Sequence, residues 1–479
     1  MDTNNISVGL DIGTTKIAAL VGRKNELGKL EILGLGYSPS EGVQRGMVTH
    51  LTKTTDAIIK AVKEAEIQSG YHISQVNVGI AGQHIRSLQH TDYIQRDNPE
   101  ELITRDDIQR LMVTARNVAV APGEEIIHII PQEFKVDDIQ NIADPVGMLG
   151  KRLEANFHIV VGQMANIKTI ARCVKDAGLE LAGITLEPLA SSASTISQEE
   201  LEAGVVLIDI GGGTTDVAIF KNEVIKHTAV IPFGGRVLTE DIKEGCGILD
   251  RQAEQLKVKF GSAWPGENKE SEIVSIPGLR GQDPREVSVK SLSKIIHARM
   301  IEILSLVRSN MDIYAQNNPQ KKLNGGVILT GGGSQLKHLK QLTEYVTGLP
   351  TRLGYPTEHL APGSDAKLGL PHFATGIGLV IKGFELDLAP ATPLHKPEIF
   401  KAPSPIAVVE IPQPEPVVET QPAPVAEMPL EPTMAAPKEP EITPRAQEDL
   451  ASEQDGKSKN PFKDFSKRLM ELLTNDHDQ

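Results

Sequence analysis

The chain has 479 residues, which at roughly 150 residues per domain allows about three domains and a large buried core. Its 49 Lys+Arg against 63 Asp+Glu leave a net charge of −14, which repels phosphates and argues against a nucleic-acid partner. Two distant cysteines, Cys173 and Cys246, exclude a disulfide scaffold and a cysteine zinc site, and 4% aromatic residues leave little for base stacking.

The polar stretch Met1 to Ser7 carries no secretory pattern, and no apolar run reaches the ~18 residues of a membrane span, so a reducing, cytosolic setting is expected. The first predicted element is Val8-Gly9-Leu10-Asp11-Ile12-Gly13-Thr14-Thr15-Lys16-Ile17-Ala18: an apolar strand, an aspartate, a Gly/Thr turn and a second strand. The spacing next predicts a helix over Thr104 to Asn117, with strands around Glu125 to Val136 and Phe157 to Val161.

The opening phrase then returns as Val206-Leu207-Ile208-Asp209-Ile210-Gly211-Gly212-Gly213-Thr214-Thr215-Asp216-Val217-Ala218. One such turn is an ordinary glycine hairpin; two copies suggest two similar halves facing each other. Glycine turns let backbone N–H groups approach an oxyanion, and the threonine hydroxyls add donors. Asp11 and Asp209 repel a phosphate but can hold Mg²⁺ or a water beside it, and Lys16 adds positive charge. No Walker loop and no GxGxxG helix opening is present.

A third corner follows. Gly326 to Thr330 reads as a buried strand, Gly331-Gly332-Gly333-Ser334 as a turn, and Gln335 to Tyr345 as a helix. Such a corner suits an anion or a nucleotide, or is simply a tight strand-to-helix turn. The strand–helix alternation of the first ~385 residues points to an α/β architecture.

Beyond Leu386 the composition changes: 15 of the 31 prolines lie between there and Asp455, a segment too poor in apolar surface to offset its ordering entropy. It reads as a disordered tether. After it, Asn460 and Pro461 open an amphipathic helix with Phe462, Phe465, Leu469, Leu472 and Leu473 on one stripe and Lys463, Lys467 and Arg468 on the polar side. It either docks on protein or lies in the plane of an anionic membrane, and its isolation behind a long tether favours the membrane.

The three glycine turns, in this order, resemble the phosphate 1, phosphate 2 and adenosine motifs of the actin-like ATPase superfamily. Thr185-Leu186-Glu187-Pro188-Leu189-Ala190 resembles its connecting segment. Further phrases narrow the resemblance to the FtsA family of bacterial cell-division proteins. These are Ile129 to Phe134, Asp144 to Met148, Pro232 to Gly235, Ile276-Pro277-Gly278 with Pro284-Arg285, and Phe373 to Gly376.

The resemblance implies a duplicated, ribonuclease H-like fold with two lobes around a nucleotide cleft. Subdomain 1A would take 1–83 and 163–202 with part of 360–385, and an insert called 1C would take 84–162. Subdomain 2A would take 203–234 and 306–385, 2B 235–305, the tether 386–455 and the membrane helix 457–474. ATP and Mg²⁺ are the implied cofactors, held by Gly13, Thr14, Thr15, Lys16, Gly211, Gly212, Gly213, Thr214, Thr215, Gly331, Gly332, Gly333 and Ser334. Asp11 and Asp209 would take the metal, and Glu187 would orient the hydrolytic water. Implied partners are copies of the chain in filaments, other division proteins, an anionic membrane surface, and the C-terminal peptide of the tubulin-like protein FtsZ. Arg285, Lys290, Lys294 and Arg299 are candidates for that peptide. The expected location is the cytoplasmic side of the membrane at the division site. The alternatives are a small-molecule kinase of the same fold, or another actin-like membrane scaffold ATPase.

Overall fold

The computed structural model describes residues 6–278, 283–318 and 322–386. Five strands form a first sheet in the order Glu180–Leu186, Gln75–Ile80, Ile6–Ile12, Lys16–Lys24, Leu30–Pro39. Five more form a second sheet in the order Thr351–Leu353, Gly326–Thr330, Val205–Ile210, Thr215–Lys221, Val224–Ile231. The two orders match strand for strand. Each has two strands parallel to a central one, which then turns back as a hairpin and pairs with an antiparallel edge. The repeated phrase is therefore a repeated sheet, and each aspartate stands one residue before the end of its central strand.

These central strands are buried on both faces, which is why they read as nearly unbroken apolar runs. Helix Leu51–Ser69 covers the first sheet with Thr54, Ala57, Ile58, Ala61, Val62 and Ala65, spaced by three or four residues. His50 Nδ1 caps its start by accepting from Lys53 N (3.3 Å), and Gly70, at φ 72°, ends it. Helix Val289–Asn317 does the same for the second sheet, burying Leu292, Ile296, Met300, Ile303, Leu304 and Val307 against Ile208, Val217, Ile219 and Val327. Each such side chain contributes about 1.5–3 kcal/mol on burial.

Between Ile80 and Met164 the chain leaves the first sheet to form a separate four-stranded one, ordered Ile85–Gln95, Arg152–Gln163, Glu124–Val136, Ile139–Ile142. The helix expected over 104–117 spans Arg105–Ala115, and Thr104 caps it by donating its backbone N–H to Asp107 Oδ2 (3.0 Å). Leu111, Phe134, Leu153, Phe157 and Ile159 form a core of its own. The insert also meets the edge of the second sheet. Ser87 Oγ donates to Thr228 O (3.3 Å), and His158 Nε2 lies 3.0 Å from Thr228 Oγ1.

His158 is 1% exposed, and burial, reinforced by the nearby His227 and His128, pushes its pKa down from 6.5 to about 4. The unfolded chain therefore takes up this proton first as pH falls, so the stability that neutral His158 supplies is present above pH 6.5 and is lost towards about 4. Relative to His158→Gln, the unchanged protein is expected to lose stability across that window. Denaturant midpoints for both chains at several pH values test this, and parallel profiles would refute it.

Among the described residues no helix is long and apolar enough to cross a membrane. The expected tether beyond Leu386 and the tail residues Phe462, Lys463, Phe465, Lys467, Arg468, Leu469, Leu472 and Leu473 lie outside the described residues.

Candidate functional site

The two hairpin turns meet tip to tip. A β-carbon on Gly212 would collide with Thr15 Oγ1, and one on Gly213 with Thr14 Oγ1. Only a residue without a side chain permits this approach. Thr14 Oγ1 accepts from Gly46 N (3.3 Å), Thr214 Oγ1 donates to Asp216 Oδ2 (3.1 Å), and Thr215 Oγ1 donates to Phe233 O (2.8 Å). Gly211 N–H closes its own turn on Thr214 O (2.9 Å), and Gly13 lies in the shorter first turn beside Asp11.

The third corner joins the other two. Gly331 stands at φ 80°, ψ 171°, and a β-carbon there would fall on Asp209 Oδ1, while one on Gly333 would strike the Ile210 side chain. Ser334 Oγ donates to Gly331 O (2.7 Å), within a tight 3₁₀ turn over Gly332–Gln335. The helix expected from Gln335 begins instead at Leu339, because His338 takes a left-handed conformation at φ 61° that interrupts regular helix.

The aspartate of the second phrase is held from two sides. Its Oδ2 accepts from Ser191 Oγ (2.6 Å), on helix Glu187–Thr195, and from Thr375 Oγ1 (3.2 Å), on helix Ala374–Leu386. Lys16 Nζ donates to His372 O (2.6 Å) and sits 4.0 Å from the centre of the Phe373 ring. Glu187 opens its helix, directly after Leu186, the N-cap residue.

Four carboxyl groups share this place, and each is pushed towards its neutral form. Burial, opposed by Lys16 and reinforced by Asp209, raises Asp11 to about 6. Burial and then the charge of Asp209 raise Asp216 to about 8. Burial, followed by Asp11, Asp216 and Asp209, raises Glu187 well above the usual carboxylate range. Burial also raises Asp209, opposed by the hydrogen bonds from Ser191 and Thr375 and by the Lys16 charge. Burial pushes Lys16 down, opposed by Asp11 and Asp209. A cluster of mutually repelling carboxylates is chemically suited to a cation, yet no three His, Cys, Asp or Glu among the described residues stand close enough to cage one. The donor set fits a hydrated Mg²⁺ that takes only one or two carboxylates.

Sequence reasoning gave no role to Asp216, although it stands in the repeat directly across the hairpin from Asp209. Its Oδ1 is buried without a hydrogen-bond partner. Aligning the two phrases on their Thr-Thr pairs would have revealed it, since Asp216 takes the place of Lys16. Ser191 and Thr375 could not be found that way, being 18 and 166 residues from Asp209.

The four cations proposed for a partner stand on other elements, Arg285 on strand Arg285–Ser288 and Lys290, Lys294 and Arg299 on helix Val289–Asn317. Arg285 donates to Cys246 O (2.6 Å) and Gly247 O, Lys290 pairs with Glu270 (2.6 Å), and Arg299 pairs with Asp241 (2.6 Å) and Glu302 (2.5 Å). Lys294 is exposed, and its charge is felt at Glu270.

The family description "Cell division protein FtsA" matches residues 206–378, and "SHS2 domain inserted in FTSA" matches residues 82–161. The cell division protein FtsA of Neisseria meningitidis serogroup B is 36% identical over 378 residues, covering 79% of this chain and 90% of its own. The Pseudomonas aeruginosa FtsA is 35% identical over 385 residues, covering 80% and 91%, and the Escherichia coli K12 FtsA is 33% identical with the same coverage. Among solved structures, the PilM–PilN type IV pilus biogenesis complex aligns with a TM-score of 0.57 at 15% identity, covering 79% of this chain and 98% of that one. That likeness speaks to the fold alone. With the repeated sheets, the insert between Ile80 and Met164, and relatives more than 30% identical along nine-tenths of their length, this chain belongs to the FtsA family of cell-division proteins and has the actin-like fold.

Proposed function

We propose that the chain binds ATP with Mg²⁺ between its two sheets and uses it to assemble a membrane-bound scaffold for division. The observation that carries this reading is the convergence of both Gly/Thr hairpins, the Gly331 corner and the carboxylates of Asp11, Asp209 and Glu187 on one point. Backbone N–H groups and hydroxyls at Gly13–Thr15 and Gly211–Thr215 would hold the phosphates, with Lys16 neutralising them. Gly331–Ser334 would lie by the adenosine. Asp11 and Asp209 would hold hydrated Mg²⁺, which supplies positive charge against the phosphates, and Glu187 would orient the attacking water.

The hairpin tips touch at Gly212 and Thr15, so phosphates can enter between them only if the lobes part. Nucleotide would thereby select one arrangement of the lobes, and in our reading that arrangement favours filaments. As part of this proposal the chain would divide as expected from its sequence: 1A with the first sheet, 1C as the insert, 2A with the second sheet, and 2B over 235–305.

The C-terminal amphipathic segment would attach the filament to the cytoplasmic face of the membrane, weakly per tail and strongly in an array. The proposed partner is the acidic C-terminal peptide of FtsZ, with further division proteins beyond it. Of the basic candidates for that contact, Arg285 and Lys294 are exposed, and Arg285, Lys290 and Arg299 would first exchange intramolecular partners. Titrating the full chain with a fluorescent ATP analogue in Mg²⁺ tests the nucleotide step. Saturable binding that unlabelled ATP displaces supports it, and its absence sinks it.

A further inference from the structure

One strand of the insert touches both lobes, and it does so at two sheet edges. Glu180–Leu186 is the edge strand of the first sheet and Val224–Ile231 the edge strand of the second. An edge strand presents N–H and C=O groups that its own sheet leaves unpaired. Strand Glu124–Val136 supplies side chains to both edges. His128 Nε2 accepts from Leu186 N–H (3.0 Å), and Gln132 Nε2 donates to Ile225 O (2.7 Å). Lys226 Nζ completes the second contact, donating to Gln132 O (3.3 Å) and pairing with Glu133 (3.1 Å).

The first of these contacts falls beside the carboxylate cluster. Leu186 is 1% exposed and caps the helix whose first residue is Glu187. A buried N–H without an acceptor is costly, so the corner that aims Glu187 is fixed in part by His128. Accepting at Nε2 requires the neutral ring with its proton on Nδ1. The strand bears on the second lobe only four residues later, at Gln132. Parting the lobes must therefore strain one contact or shift the strand, and a shift carries the Leu186–Glu187 corner with it.

We propose that His128 is a positioning residue for Glu187, and that through it the insert is coupled to the opening between the lobes. Whatever binds the insert would then alter events in the cleft, and nucleotide would alter the insert, by the reciprocity of linked equilibria. The inference rests on the nucleotide reading of the cleft given above.

The test compares the full chain with His128→Phe, which fills the space without an acceptor, and His128→Gln, whose amide oxygen can accept the same bond. Affinity for the ATP analogue and single-turnover cleavage of ATP·Mg²⁺ are measured for each. His128→Phe is expected to slow cleavage about tenfold while leaving affinity within about twofold, and His128→Gln to return cleavage to within about threefold of the original. Equal cleavage by all three chains overturns the proposal, as does an equal loss in both variants, which marks His128 as structural only. A protein that binds ATP without cleaving it also overturns it, whereas a protein that binds no nucleotide overturns the nucleotide reading itself. Should His128→Phe fail to fold, amide exchange in the unchanged protein decides. Slow exchange at Leu186 supports the contact, and exchange as fast as an open sheet edge refutes it.

Discussion

Gly331→Ala is expected to lower stability by about 3 kcal/mol or more and to abolish nucleotide binding with it. Two independent penalties add at this position. The backbone at φ 80°, ψ 171° lies in a region that only glycine populates freely, and the added methyl group would fall on Asp209 Oδ1. Asp209 cannot move aside without giving up Ser191 and Thr375. Gly332→Ala is the control: Gly332 is exposed, and the nearest atom to its β position is His372 Cβ at 3.8 Å. Its effect is expected to stay within about 1 kcal/mol. Urea midpoints with unchanged slope measure both, and equal midpoints for the two variants would show that the corner is looser than this geometry implies.

Asp209→Asn is expected to separate binding from folding. The amide keeps the shape and can still accept from Ser191 and Thr375, but the negative charge is gone. Asp209 raises the pKa of Asp216, Asp11 and Glu187 by its charge, so removing it relieves repulsion within a buried cluster. Stability should rise or hold. Affinity for ATP·Mg²⁺ should fall by about two orders of magnitude, the scale of losing a charged hydrogen-bonding partner. Stability by denaturation and affinity by titration give the two readings. A fall in both together would make Asp209 a structural residue, and an unchanged affinity would remove it from the proposed metal site.

The sequence shows most plainly what chain-local forces decide. Val206-Leu207-Ile208 reads as a buried central strand because both faces of that strand are covered, and the Gly/Thr turns are visible because sterics leave few alternatives. The duplication of the two sheets could be read from one repeated phrase. What stayed hidden depends on distance along the chain or on partners. Ser191, Thr375 and His372 reach the site from elements whose local pattern is ordinary core or cap. The helix after the third turn starts later than its leucine spacing suggests, because the turn and His338 use up the first residues in non-helical backbone. His128 stands between two Ile-Ile pairs in a strand without regular alternation, and its contact with Leu186, 58 residues away, has no local signature. The basic residues proposed for a partner show the opposite balance. Charge is legible in sequence, but its pairing, such as Arg299 with Asp241, is not.

The proposal as a whole turns on whether nucleotide and the C-terminal segment together bring the chain to a membrane. Co-sedimentation with anionic phosphatidylglycerol vesicles, with and without ATP·Mg²⁺, measures this directly when the full chain is compared with one ending at Asp455. The expected result is that the full chain alone pellets with the vesicles, and more so with ATP·Mg²⁺. If both chains stay in the supernatant under every condition, or both pellet alike, the membrane-scaffold reading is contradicted.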